Sequence, residues 1–222
     1  MKIHFGLRAY GKLRGAAFVA TVIIIAGQVW IANALGLRPV WLLPAISGAL
    51  LLISVVIYRD EYREPPRVLL HFAHAVVWVL VLSDLLCLIW LVLGIFFSHS
   101  QLPAGQLLIT GIALWVVNVM VFALAYWEFD KDGPEARALN TDAYPDFVFP
   151  QQTDSSGTLA PKDWQPGFAD YLYVSVTSAT AFSPTDTMPY TKTAKLLMAS
   201  ESIISFFIFG MLVARAINIA AG

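Results

Sequence analysis

Long apolar runs separated by short polar connections dominate this sequence. The runs cover residues 16–35, 41–58, 68–97, 104–127 and 194–219. A helical run of about 20 apolar residues is long enough to cross the roughly 30 Å hydrocarbon core of a bilayer. The chain is 58% hydrophobic and 13% charged, whereas a soluble domain has about 25% charged residues. The pattern predicts an all-α integral membrane protein with five transmembrane helices.

The segment 168–219 has a pattern that a single transmembrane helix does not explain. Residues Phe168–Thr180 predict an amphipathic helix of about a dozen residues, which is too short to cross a bilayer. The polar turn after it contains Pro184 and Pro189, which a helix interior does not tolerate. Irregular backbone occurs at membrane depth only where protein or a water-filled cavity surrounds it. The sequence therefore predicts a re-entrant pore-type half-helix between the fourth and fifth transmembrane helices.

The chain divides into three parts. Residues 1–15 form a basic N-terminal arm, 16–97 a three-helix membrane region, and 104–219 a channel-pore-like domain with an acidic loop at 128–167. The aromatic residues at the ends of the spans fit an interfacial belt: Trp41, Tyr58, Tyr126 and Trp127.

Charge predicts the orientation. The side that holds the N-terminus would carry Lys2, Arg8, Lys12, Arg14, Arg59, Arg63 and Arg67, and the short loops of the opposite side only Arg38. Because cytoplasmic loops are enriched in Lys and Arg, we expect a cytoplasmic N-terminus. Four spans then leave the acidic loop on the cytoplasmic side.

Three polar residues inside the predicted spans are candidate functional residues: Asp84, Asn118 and Glu201. A carboxylate at the centre of a transmembrane helix costs roughly 2.5–3.5 kcal/mol, so we expect Asp84 to face the protein interior, to pair or to stay protonated. It serves either as a proton or cation relay or in a hydrogen bond to a Ser or Asn side chain, of which Asn118 is a candidate. Glu201 and Arg215 are about 21 Å apart along one helix and do not pair with each other; either could pair with a neighbouring helix, and Arg215 could extend to the interface.

The sequence gives little indication of an enzyme. It contains no set of nucleophile, base and acid, no glycine-rich phosphate loop and no cysteine cluster, so we predict no catalytic residue and no cofactor. Cys87 lies in an apolar run and is expected to pack in the core. His71 and His74 share a helix face, but a metal needs three or four ligands, which favours interfacial histidines. The net charge of -1 gives no indication of nucleic-acid binding.

The acidic residues after the fourth span resemble the start of a calcium-binding loop. Glu128, Asp130 and Asp132 alternate and Gly133 follows, but Leu139 stands where the twelfth position needs a bidentate Glu. A solvated acidic loop without metal is therefore the favoured interpretation.

The segment resembles the pore domain of tetrameric potassium channels, with an outer helix at 104–127, a pore helix ending at Thr180 and an inner helix at 194–219. The residues that correspond to the family's filter T-T-V-G-Y-G-D are Thr180, Ala181, Phe182, Ser183, Pro184, Thr185 and Asp186. The resemblance covers about half the chain and implies a homotetramer in contact with lipid and monovalent cations. The arrangement is also similar to uncharacterised bacterial inner-membrane proteins with four spans before such a segment, which implies that location.

Two departures change what the resemblance implies. Ser183 and Thr185 replace the filter glycines, and Pro184 fixes φ near -65°, so we expect a hydroxyl-lined, weakly selective constriction instead of a potassium-selective carbonyl cage. In the potassium channels the pore loop enters from the outer face, so either the basic arm misleads about orientation or the pore segment is inverted, as in ionotropic glutamate receptors. The charge count favours the second alternative.

Three hypotheses follow from the sequence. The first is a weakly selective cation pore, the second a non-conducting structural or accessory membrane protein, and the third a proton-coupled carrier that uses Asp84.

Overall fold

The fold is almost entirely helical. A computed structural model describes residues 7–39, 42–57, 67–96, 103–138, 144–180 (except 155, 159, 162 and 163) and 186–221. Its helices are α1 (Leu7–Ala34), α2 (Leu42–Ile57), α3 (Arg67–Phe96), α4 (Ala104–Phe129), α5 (Pro134–Ala138), α6 (Pro150–Thr153), α7 (Phe168–Thr180) and α8 (Lys192–Ala221). A 3₁₀ turn at Asp130–Asp132 joins α4 to α5, and two short strands, β1 (Phe147–Val148) and β2 (Met188–Pro189), form an antiparallel pair.

Four helices of the described chain are long and apolar enough to cross a membrane: α1, α3, α4 and α8. Helix α2 has 16 residues and is about 24 Å long at 1.5 Å per residue, shorter than a hydrocarbon core of about 30 Å. Helix α7 has 13 residues. By length and composition, the chain is therefore compatible with a membrane protein that has four spanning helices and two shorter ones.

The bounds of the helices agree with the sequence pattern at α7 and differ elsewhere. The predicted helix Phe168–Thr180 is confirmed. Helix α1 begins at Leu7, well before the predicted span at residue 16, so Arg14 lies inside a helix. Helix α8 exceeds its predicted range by two residues at each end, because Lys and Ala are good helix formers.

Helix α4 lies at the centre of the fold and packs against α1, α3, α7 and α8. In its most apolar stretch 61% of the residues are buried, compared with 17% in that of α8. Cys87 is buried in this core, as predicted. The aromatic belt is wrong for Tyr126 and Trp127, which are both buried in the core, while Trp41 and Tyr58 lie outside the described residues.

The strand pair ties the region after α4 to the start of α8. Phe147 pairs with Pro189, and Val148 pairs with Met188. Beside the pair, the backbone N–H of Tyr190 donates to the carbonyl of Asp146 at 2.9 Å, and the hydroxyl of Thr191 donates to the Asp146 carboxylate. Helix α8 therefore begins next to the end of α4.

Candidate functional site

A buried group of charged residues surrounds the end of α4. We call it the charge cluster, and it consists of Arg14, Glu128, Asp130, Glu135 and Arg137. Each of these side chains is less than a tenth exposed. The expected solvated acidic loop is therefore wrong for the two glutamates and Asp130.

Arg14 of α1 binds two carboxylates at once. Its guanidinium donates two hydrogen bonds of 2.9 Å to Glu128 and also contacts Glu135, once at 2.8 Å. The same group lies 5.3 Å from the ring centre of Trp127, which is within cation–π distance. The planar guanidinium of arginine can bind two carboxylates with several hydrogen bonds, which the ammonium group of lysine cannot do in the same geometry. These contacts join α1, α4 and α5.

Asp130 organises the other half of the charge cluster. Its carboxylate accepts hydrogen bonds from the backbone N–H of Asp146 at 2.8 Å and of Phe147 at 3.2 Å, and from the Tyr171 hydroxyl. Arg137 donates to the Asp130 carbonyl and lies 5.2 Å from the centre of the Tyr171 ring. These contacts fix the start of α7 to the end of α4.

Burial raises the pKa of Tyr171 well above its usual value. The positive charge of Arg137 lowers this pKa, and the negative charge of Asp130 together with its hydrogen bond raises it. Tyr171 therefore stays a neutral hydrogen-bond donor.

Helices α4, α7 and α8 meet at a second buried group, which we call the polar junction: Tyr126, Ser175, Ser178, Glu201 and Ser202. The hydroxyls of Tyr126 and Ser175 contact the two carboxyl oxygens of Glu201. Ser178 lies 3.1 Å from the hydroxyl of Ser202. Ser178 also hydrogen-bonds Glu201, so α4, α7 and α8 each contribute polar side chains to one connected set of contacts.

A mostly apolar groove of about 500 Å³ opens beside the last turn of α7. It is lined by Ile112, Trp115, Ala179, Thr180, Ser202, Phe206, Phe209 and Leu212. The groove and the polar junction share Ser202. The end of α7 therefore borders the polar junction on one side and open apolar space on the other.

The predicted filter is described only at its two ends. The hydroxyl of Thr180 donates to the carbonyls of Val176 at 2.9 Å and Thr177 at 3.2 Å, and Asp186 is exposed. The filter residues between them lie outside the described part of the chain: Ala181, Phe182, Ser183, Pro184 and Thr185.

The three predicted intramembrane polar residues lie in different surroundings. Asp84 on α3 is buried, and its Oδ1 has no hydrogen-bond partner among the described residues. The amide of Asn118 donates to Ser205 at 3.1 Å, so the structure gives Asn118 a partner on α8 in place of the expected Asp84. Glu201 lies one helical turn before Ser205, which makes Asn118 a neighbour of the polar junction.

The two patterns that resemble metal sites take part in packing and pairing. The ring of His74 packs against Phe129, with 4.7 Å between ring centres. Glu128 and Asp130, which resemble part of a calcium loop, bind Arg14 and backbone N–H groups. Across the part of the chain that the structure describes, no three His, Cys, Asp or Glu side chains form a group that could hold a metal ion.

Sequence reasoning missed the charge cluster and most of the polar junction. One pattern does indicate the junction: Tyr171, Ser175 and Ser178 follow an i, i+4, i+7 spacing, which places three hydroxyls on one face of α7. The pairing of Arg14 with residues 114 and 121 positions away has no such local pattern.

Comparisons of the chain with protein-family models, with curated proteins and with solved structures find no match.

Proposed function

We propose that this protein is an ion-channel-like membrane protein, a weakly selective cation pore that assembles as a homotetramer. In this proposal α4 is the outer helix, α7 a re-entrant pore helix and α8 the inner helix. Helix α2 counts as a fifth, short span. The resemblance to bacterial inner-membrane proteins favours that membrane as the location.

One observation carries the proposal: α7 leads away from the end of α4 and the chain then returns to it. Tyr171, in the first turn of α7, contacts Asp130 at the end of α4. Ser175 donates to the carbonyl of Val119 at 2.7 Å, ten residues or about 15 Å before the end of α4. Thr180 lines the groove together with Trp115, further still from that end.

The return follows within a few residues. Met188, eight residues after Thr180, pairs with Val148 in the strand pair, whose Phe147 binds Asp130. An extended chain spans about 3.3–3.6 Å per residue, so eight residues reach about 26–29 Å. That length is sufficient for a path that enters and leaves a membrane on the same side.

The need to cover polar groups supports an assembly of several copies. Hydroxyl side chains and an aspartate follow α7, and lipid offers them no hydrogen bonds. Helix α8 has only 17% of its most apolar stretch buried, so it has a large face free for a neighbouring subunit. Four copies around one axis would enclose the segment 180–186 in a shared aqueous path.

Cation selectivity follows from the chemistry at the two ends of that segment. Asp186 is exposed at the end of this segment that leads to the strand pair. A ring of four such carboxylates would concentrate cations there. Hydroxyls in place of glycine carbonyls would leave the ions hydrated, which gives weak discrimination among monovalent cations.

A carrier that uses Asp84 is the second candidate. It is favoured by one observation, the buried Asp84 Oδ1 that lacks a hydrogen-bond partner among the described residues. Ionisable groups inside transmembrane segments mark proton pathways in many transporters.

Flux measurements in liposomes test both candidates. Purified wild-type protein and the variants Asp186→Asn and Asp84→Asn are reconstituted at equal density, and K⁺ and Na⁺ flux is followed with and without a proton gradient. Asp132→Asn is the matched control, because it removes an exposed carboxylate near the end of α4.

The pore predicts flux without a proton gradient that falls several-fold in Asp186→Asn and is unchanged in the Asp132 and Asp84 variants. Flux that requires a proton gradient and is lost in Asp84→Asn would favour the carrier. Folded tetramers without flux would contradict both the pore and the carrier and would favour a non-conducting structural or accessory protein.

A further inference from the structure

Glu201 of α8 contacts both α4 and α7. It is fully buried and lies nine residues, or about 14 Å, after the start of α8. Tyr126 of α4 contacts its Oε2, and Ser175 of α7 contacts its Oε1. A single carboxyl group therefore links α8 to both α4 and α7.

The number of hydrogen atoms available for the contacts of Ser175 bears on the protonation of Glu201. The Ser175 oxygen is 2.7 Å from the Val119 carbonyl and also contacts Glu201 Oε1. A serine hydroxyl carries one hydrogen, and both of these partners are acceptors when Glu201 is ionised. The single hydrogen would then be shared between two acceptors, and each contact would be weaker than a full hydrogen bond.

A proton on Glu201 satisfies every contact. Glu201 then donates to Ser175, Ser175 donates to the Val119 carbonyl, and the Tyr126 hydroxyl donates to the second carboxyl oxygen. The neighbouring hydroxyl of Ser178 also hydrogen-bonds Glu201, but a hydrogen on Ser178 fills neither of the two contacts of Ser175.

The charges around Glu201 agree with this count. Helix α4 presents one titratable group to it, Tyr126, and α7 presents serines. On α8 itself, the nearest basic residues are Lys195, which is exposed, and Arg215, about 21 Å away along the axis. No arginine or lysine of the described chain forms an ion pair with Glu201, in contrast to Glu128, which Arg14 neutralises.

We propose that Glu201 is held as a neutral carboxylic acid and that in this form it positions α7 against α4 and α8. Loss of the proton removes the donor to Ser175 and loosens α7. The protonation of Glu201 stands on its burial, on the lack of an ion pair to it among the described residues and on the hydrogen count, whereas its effect on a pore rests on the proposed function. The test therefore measures the acid and the seating of α7 without measuring flux.

Infrared difference spectroscopy detects the acid directly. The variant Asp84→Asn serves as the background, because it removes another buried carboxyl group of a spanning helix. A carboxylic-acid carbonyl band at neutral pH is expected in this variant, with loss of the band in Asp84→Asn/Glu201→Gln. Ser175→Ala should shift the band, since it removes the acceptor of the acid proton. Absence of the band in Asp84→Asn, or its persistence after Glu201→Gln, would overturn the proposal.

Thermal unfolding across pH provides the second measurement. A glutamine at position 201 donates to Ser175 and accepts from Tyr126, as the neutral acid does. Glu201→Gln should therefore match the wild type near pH 4, where an unfolded glutamate is largely protonated as well, and unfold at a higher temperature than the wild type from pH 6 upward, where the unfolded glutamate is ionised. Glu201→Ala should be less stable than Glu201→Gln at every pH. A Glu201→Gln variant as unstable as Glu201→Ala at pH 6 would contradict the proposal.

A bound monovalent cation is the competing explanation for the missing positive charge. Replacement of choline chloride by NaCl at constant ionic strength should leave the unfolding temperature of the wild type unchanged. A rise with Na⁺ that Glu201→Gln abolishes would overturn the protonated acid in favour of a bound cation.

Discussion

Replacement of Arg14 by methionine tests whether the charge cluster holds the fold together. The change removes four hydrogen bonds to Glu128 and Glu135 and takes from the buried carboxylate of Glu128 the guanidinium that pairs with it. Removal of one partner of a buried ion pair costs about 3–5 kcal/mol, and loss of the cation–π contact with Trp127 adds about 1 kcal/mol. We expect Arg14→Met to lower the free energy of unfolding by about 4 kcal/mol or more.

Reversible unfolding of the purified protein in mixed micelles, followed by tryptophan fluorescence, measures this loss. For a chain of this size, 4 kcal/mol corresponds to about 8–16 °C in the unfolding temperature. Arg38→Met is the matched control, because Arg38 is exposed and surface substitutions change stability by about 0.5 kcal/mol or less.

A rescue variant separates lost charge neutralisation from lost packing. The triple variant Arg14→Met/Glu128→Gln/Glu135→Gln also removes the negative charges of the two glutamates. About half of the lost stability or more should return, because a neutral replacement of a buried ion pair is often tolerated. Arg14→Met that unfolds like the wild type would refute the account of the charge cluster. So would a triple variant that is less stable than Arg14→Met.

Two further predictions concern packing and pH. A Cβ atom on Gly27 would lie 2.7 Å from Val117 Cγ2, so Gly27→Ala should lower the free energy of unfolding by about 1–3 kcal/mol. Gly48 has open space around it, so Gly48→Ala should stabilise the protein slightly. Equal effects of the two substitutions would contradict the packing of α1 against α4. The raised pKa of Tyr171 means that its stabilising effect is complete below about pH 10, where an unfolded tyrosine titrates, and is lost as pH rises further. Unfolding temperatures should therefore fall less steeply above pH 10 in Tyr171→Phe than in the wild type or in the exposed control Tyr173→Phe, and identical slopes would show that Tyr171 ionises normally in the folded protein.

Local patterns in the sequence were sufficient to predict the ends of α4, α7 and α8 to within two residues. The limits of α7 were predictable because Pro166 and Pro184 bracket a segment with amphipathic spacing, and prolines end helices. Cys87 was predictable as a core residue because apolar residues surround it on both sides in the sequence.

Contacts between distant segments were not predictable in the same way. Arg14 was interpreted as part of a basic arm, since nothing near it in the sequence indicates that Glu128 and Glu135 will lie beside it. The candidate hydrogen bond between Asp84 and Asn118 is not formed, because the packing of α4 turns Asn118 toward Ser205 of α8. The face of a helix that meets a given neighbour is decided by packing, which a fully apolar run does not reveal.

Labelling of single cysteines from one side of the membrane is the most direct test of the central claim. The claim is that the segment from α7 to the start of α8 enters and leaves the membrane on the same side. In a Cys87→Ala background, Thr153→Cys stands before α7, Tyr190→Cys after it, and Asn33→Cys at the far end of α1; all three positions are exposed. The account predicts that an impermeant maleimide labels the cysteines at positions 153 and 190 from the same side of sealed vesicles and the cysteine at position 33 from the other. Labelling of positions 153 and 190 from opposite sides would make α7 part of a membrane crossing and would contradict the account.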